Sequence, residues 1–141
     1  MIDLTKFEKD YNSKYGEIAS GYYEIKKSKF YAYIFSAEHS ENEVKEIIER
    51  IRKDNKKARH IVYCYNFIDS ASNNVSKFSN DGEPQGTGVN SIISTLEKEN
   101  VKNYLVVIVR YFGGTLLGSG PLLRSYLSAF KDAFEKMKTK V

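Results

Sequence analysis

The stretch YLVVIVRYF, residues 104–112, constrains the fold more than any other part of the chain. Successive side chains of a β-strand point to opposite faces, so a strand with one wet face alternates apolar and polar residues. From Leu105 to Val109 neither face carries a polar residue. Such a strand has to be covered on both sides and sit inside a sheet, a pattern common where strands run parallel. The run ends at Arg110, on the same face as Val106 and Ile108. A guanidinium there must be paired or open onto a cleft, because burying it alone is costly. Asp81 and Glu83 are its candidate partners.

The segments on either side supply partners for this strand. EIASGYYEIKKS and KFYAYIFS, rich in aromatic and β-branched residues, read as a hairpin with its turn near Ser28. In SENEVKEIIERIRKDN, Val44, Ile47, Ile48 and Ile51 share one helical face behind a capping box of Ser40 and Glu43. RHIVYCYNFI and the weaker NVSKFSN read as two more strands, the second an edge. Val89, Ile92, Ile93 and Leu96 mark a second helix, ending near Asn100. Past the glycines, Leu122, Tyr126, Phe130, Phe134 and Met137 mark a third helix that runs almost to the end. The order ββαββαβα predicts a mixed α/β fold, read as a two-layer sandwich. At 141 residues the chain is one domain, with its core over about residues 16–138.

Charge and cysteine usage narrow the function classes. A net charge of +4 with 22 basic and 18 acidic residues permits nucleic-acid binding without arguing for it. Cys64 is the only cysteine, which excludes an internal disulfide, and with His39 and His60 it leaves few soft metal ligands. Neither a metal nor a cofactor is expected. No stretch reaches about 18 uninterrupted apolar residues, and no signal-like block opens the chain, so the reading is a soluble, cytoplasmic protein with no membrane partner.

Two glycine-rich connections, DGEPQGTG and FGGTLLGSGP, each lead into a helix, where unpaired N–H groups and the positive dipole end favour an anion. Tight-turn geometry explains glycines equally well. Gly113 to Gly118 has the spacing of a Walker loop, but Ser119 stands where lysine is needed. GSGPLL starts like a dinucleotide fingerprint, yet Leu123 takes the place of its third glycine. Arg124 is placed in the first turn of the third helix, where a cation opposes the macrodipole unless an anion offsets it.

Asp81 and Glu83 can act as acid and base, as magnesium ligands or as an arginine anchor, and Asp-Gly is also an ordinary turn. His60 at a strand start is a candidate base or a hydrogen-bonded structural group. No nucleophile, base and orienting triad can be assembled from spacing. The chain has 11 Tyr and 8 Phe, which can fill a sheet interior or stack on bases; core is the preferred reading.

DGEPQGT followed, after a helix and a strand, by VRYFGGTLLGSGPLLRSY resembles the Impact family, with its bacterial YigZ-like members, and KSKF and ARH fit the same pattern. The resemblance covers roughly residues 21–129 and implies an Impact N-terminal domain. Its fold is similar to the second domain of a small-subunit ribosomal protein and to GHMP kinases, with a left-handed βαβ unit. The family signature falls here on His60, Asp81, Gly82, Glu83, Pro84, Gly86, Thr87, Arg110, Tyr111, Phe112, Gly113, Gly114, Gly118, Gly120, Arg124 and Tyr126. Gly88, Val89 and Ser91 depart from it, as does Pro121, which suits a helix N1 position. Bacterial relatives add a ferredoxin-like domain and eukaryotic ones an N-terminal partner-binding domain, and neither is expected here.

The resemblance implies a regulator linked to translation, with no reaction established for the family, and a non-enzymatic binding domain is the leading reading. The expectation is binding of RNA or of a ribosome-associated partner in a cleft between the two loops. Arg110, Arg124 and Thr87 would contact the ligand, with Gly113, Gly114, Gly118 and Gly120 allowing close approach. Two alternatives stand beside it. One is an enzyme on a phosphorylated small molecule using His60, Asp81 or Glu83, and the other a protein–protein regulator without nucleic acid.

Overall fold

A computed structural model of the chain describes residues 1–38 and 40–140; His39 and Val141 lie outside the described residues. The strands are β1 (Ile2–Asp3), β2 (Ala19–Ile25), β3 (Ser28–Ser36), β4 (His60–Ile68), β5 (Asn74–Ser79), β6 (Val101–Lys102) and β7 (Tyr104–Tyr111). The helices are α1 (Glu41–Asp54), α2 (Asn90–Lys98) and α3 (Ser119–Lys138). The main sheet has the order β2-β3-β7-β4-β5, and β1 pairs with β6 in a small parallel ribbon.

β7 is the central strand, as its unbroken apolar run requires, but it runs antiparallel to both β3 and β4. The parallel arrangement suggested by that run is therefore not adopted. Both faces of β7 are dry because helices cover the sheet on both sides, and that covering, rather than strand direction, is what the pattern reports. Val106 and Ile108 face α2 and α3 in one buried cluster with Ile92, Leu96, Phe130 and Phe134. Leu105, Val107 and Val109 face α1 in a second cluster with Ile48, Ile51, Tyr65 and Phe67. The mixed α/β class and the order of the helices and main-sheet strands are as expected, whereas β1 and β6 are additional and α1 adds a third layer to the expected two, on the side away from α2 and α3.

Local sequence explains the elements that matter for the site. Ser40 Oγ accepts from Glu43 N at 3.3 Å and starts α1, burying Val44, Ile48 and Ile51 on the sheet. α3 lies against β2 with almost no space between them. A Cβ at Gly21 would stand 2.4 Å from Ala133 N and 2.5 Å from Ala129 O, so only glycine allows this approach. The β2–β3 turn is made by Lys26 (φ 47°) and Lys27 (φ 67°), both in the left-handed region. Two-residue hairpins favour such turns because they match strand twist, but ordinarily fill them with Asn-Gly. β5 is the exposed edge of the sheet.

Candidate functional site

Glu83 is the centre of the region where the two glycine-rich loops meet. Its carboxylate leaves the loop after β5 and enters the space between the end of β7 and the start of α3. There it is 7% exposed beside Arg110 at 6%. Nη1 of Arg110 donates to both carboxylate oxygens, at 2.9 and 2.8 Å. The hydroxyl of Tyr126, from α3, donates to the same carboxylate. His60 Nε2, at the start of β4, lies 3.4 Å from Glu83 Oε1. Burial, then the adjacent carboxylate, pushes the Tyr126 phenol far above its ordinary range, so it remains a donor. The carboxylate thus holds a loop, a strand and a helix together, and the space expected as an open cleft is filled.

Arg110 is only partly satisfied by this arrangement. One nitrogen serves both oxygens, in place of the two parallel bonds of a forked pair, and Nε is buried without a hydrogen-bond partner among the described residues. Its guanidinium stands 5.7 Å from the centroid of Phe30.

Asp81, the other partner considered for Arg110, acts elsewhere. Its carboxylate accepts from the backbone N–H of Ile61 at 2.7 Å, fastening the turn to β4. Its carbonyl lies 2.5 Å from His60 Nδ1. A carbonyl can only accept, so Nδ1 carries the proton and Nε2 is the nitrogen that faces Glu83. Thr87 is buried, and its hydroxyl donates to the Pro84 carbonyl at 2.5 Å. Asn80 carries no family signature, but it caps α2 from a distance. Its Oδ1 accepts from Val89 N at 2.9 Å, where Val89 has no side-chain cap to offer. Gly88 makes room, since a Cβ there would stand 2.2 Å from that oxygen.

The second loop divides its glycines between packing and turning. Gly113 lies against the β2–β3 turn; a Cβ there would meet Lys27 C at 2.2 Å, and its N–H donates to Ser28 Oγ at 3.1 Å. Gly114 turns the chain at φ 95°. Gly118 is the N-cap of α3 and supplies no side-chain cap. The helix therefore begins at Ser119, two residues before Pro121. Pro121 falls at the third helical position rather than N1, still within the first turn where no intrahelical N–H bond is lost. Arg124 accordingly sits in the second turn, not the first. It is exposed, has no carboxylate partner among the described residues, and folds back so that a methyl at Gly120 would be 3.2 Å from Nη1.

Cys64 is buried, and burial raises its thiol pKa far above the usual range, so it is inert. Among the described residues no three His, Cys, Asp or Glu side chains are grouped as a metal ion would require. No helix among them is long and apolar enough to cross a membrane.

A family model described as the Impact N-terminal domain matches residues 26–134. The chain belongs to the Impact family. IMPACT family member YvyE of Bacillus subtilis is 35% identical over 102 residues, covering 72% of this chain and 46% of that protein. IMPACT family member YigZ of Escherichia coli is 33% identical over 118 residues, 82% of this chain and 56% of that protein. The chain thus spans about half the length of the curated relatives it matches. A crystal structure described only as that of an hypothetical protein superposes with a TM-score of 0.69 at 31% identity, over 85% of this chain and 59% of the other. A two-domain translational regulator, Yih1, shares the fold at a TM-score of 0.58 and 21% identity, over 89% of this chain and 49% of the other. In this Impact domain His60, Arg110 and Tyr126 converge on the Glu83 carboxylate. Gly113 and Asp81 fasten the turns around it, and Arg124 stands apart on the surface.

Proposed function

We propose that this Impact domain is a non-catalytic binding domain of a translation-related regulator, and that it engages RNA or a ribosome-associated partner on the surface formed by its two glycine-rich loops. The description of Yih1 as a translational regulator supports the general role. The observation that carries the reading is Arg124, an exposed guanidinium with no acidic partner among the described residues, beside the uncapped N-terminus of a 20-residue helix. A phosphate there would meet both the cation and the positive end of the dipole. Glu83, Asp81 and Thr87 are already engaged within the fold, which suits a rigid support more than a reacting set.

The test is fluorescence anisotropy with a labelled RNA hairpin over a salt series. Arg124→Ala should weaken binding and flatten the log–log salt dependence by about 0.7–0.9 for the lost phosphate contact. Unchanged affinity, or no binding at low salt, overturns the reading. A second reading, turnover of a phosphorylated small molecule, draws on the His60 Nε2 to Glu83 Oε1 approach at 3.4 Å. Phosphoester hydrolysis with magnesium that Glu83→Gln abolishes would support it.

A further inference from the structure

The face of the sheet covered by α1 is left open beyond the C-terminal end of that helix. A hollow of about 520 Å³ lies there, lined by Lys14, Lys27, Lys29, Tyr31, Tyr111 and Phe112, with Tyr33 and Asn55 behind them. We propose that this hollow is a stacking platform for single-stranded RNA, with bases on Tyr31, Tyr111 and Phe112 and backbone phosphates on Lys27 and Lys29. It extends the RNA reading above to a different surface from the one carrying Arg124.

The rings are held and half-exposed, unlike those of the core. Tyr31 faces Tyr22 across the hairpin, with centroids 5.0 Å apart, and meets Tyr111 edge-on at 6.1 Å. Tyr111 is fixed by its hydroxyl, which donates to Asn55 Oδ1 at 2.6 Å, while Asn55 Nδ2 donates to Ile51 O at the end of α1 at 2.8 Å. The Arg59 guanidinium lies 4.5 Å from the centroid of Phe112. Aromatic faces of this kind accept any base, which is how sequence-tolerant single-strand sites work.

The cations match a polyanion. Neither Lys27 nor Lys29 has a salt-bridge partner among the described residues. Glu24 stands opposite Lys29 in the strand register, yet it accepts from the Tyr22 hydroxyl. Lys14 alone is paired, with Asp54 at 3.4 Å. Lys27 is held in the left-handed region, which a lysine adopts only at a cost, and such residues gather at ligand-binding sites. An acidic peptide would satisfy the lysines but leave the row of rings unused, so single-stranded RNA is the better match.

The test is anisotropy with a labelled six-nucleotide uridine RNA. Lys27→Asn combined with Lys29→Gln keeps the turn foldable, since asparagine tolerates its conformation. This variant should lower the salt slope by about 1.4, for two single-strand phosphate contacts. Phe112→Leu and Tyr31→Leu, checked for native melting, should each weaken binding about fivefold or more through lost stacking. Loss in Arg124→Ala with unchanged affinity in the lysine and ring variants overturns the platform and leaves the loop-surface reading standing. Absence of any RNA binding overturns both. Equal competition by blunt duplex RNA or by polyglutamate overturns the platform, because neither offers unstacked bases.

Discussion

Glu83 receives both of its arginine hydrogen bonds from a single nitrogen of Arg110, at 2.9 and 2.8 Å, so that pair closes the space between the two glycine-rich loops. A buried ion pair adds little net stability against an apolar replacement, but removing one member strands the other. Here the stranded group would be a guanidinium at the end of the central strand.

Glu83→Gln preserves shape and removes the charge. It should cost about 3 kcal/mol or more, the range for breaking a buried pair. Urea denaturation checks this, and adding Arg110→Met to the same chain should recover much of the loss.

Gly113→Ala places a methyl 2.2 Å from the backbone of Lys27. The expected loss is about 1–3 kcal/mol, as for other overpacked sites. Amide exchange should quicken at Ser28, and in Gly118→Ala, whose added methyl would make only an ordinary contact with Pro121 Cδ at 3.7 Å, it should not.

Asn80→Ala deprives Val89 N–H of its acceptor. A loss of about 1 kcal/mol is expected from cap removal, and it should appear as faster amide exchange in the first turn of α2.

Alkali should destabilise the fold through its buried tyrosines. Burial raises the Tyr15 and Tyr33 phenols from 10.0 to about 12. The fold therefore favours their neutral forms. That contribution is fully present below pH 10 and disappears as pH rises through 12. Urea midpoints measured from pH 8 to 11.5 should fall, and Tyr33→Phe should fall less steeply.

Lys26→Asn with Lys27→Gly installs the residues this turn type prefers. The variant should gain about 1 kcal/mol, a few degrees in melting temperature, while weakening the uridine oligomer. Improved stability with unchanged binding would mean the strained lysines do not serve the platform.

Local features were readable from sequence, and long-range ones only in part. Ser40 and the Val44 to Ile51 stripe specify α1 within a few residues, so α1 appears where expected. The direction of β7 depends on where the chain crosses between strands, and no residue within β7 encodes that. Arg110 announced a need for an acid, yet Asp81 and Glu83 are two residues apart and equally acidic. Only the folded turn sends one to Ile61 N–H and the other inward. The start of α3 was misplaced because Gly118, Ser119 and Gly120 are weak helix formers that packing nonetheless recruits. The Lys26–Lys27 turn carries no glycine or asparagine to mark it. Tyr31 and Tyr111 share their alternating pattern with buried Tyr33 and Tyr65, so composition could not separate a wet ring from a dry one.

Arg110 and Tyr111 are joined by one peptide bond and serve opposite sides of the sheet, one toward Glu83 and α3, the other toward Asn55 and the end of α1. The two surfaces are therefore in fixed phase. Deleting or inserting a single residue within β7 would turn the guanidinium onto the aromatic side and the tyrosine into the carboxylate. Homologous chains can vary either surface by substitution, but neither can be lost by a change in strand length without taking the other with it.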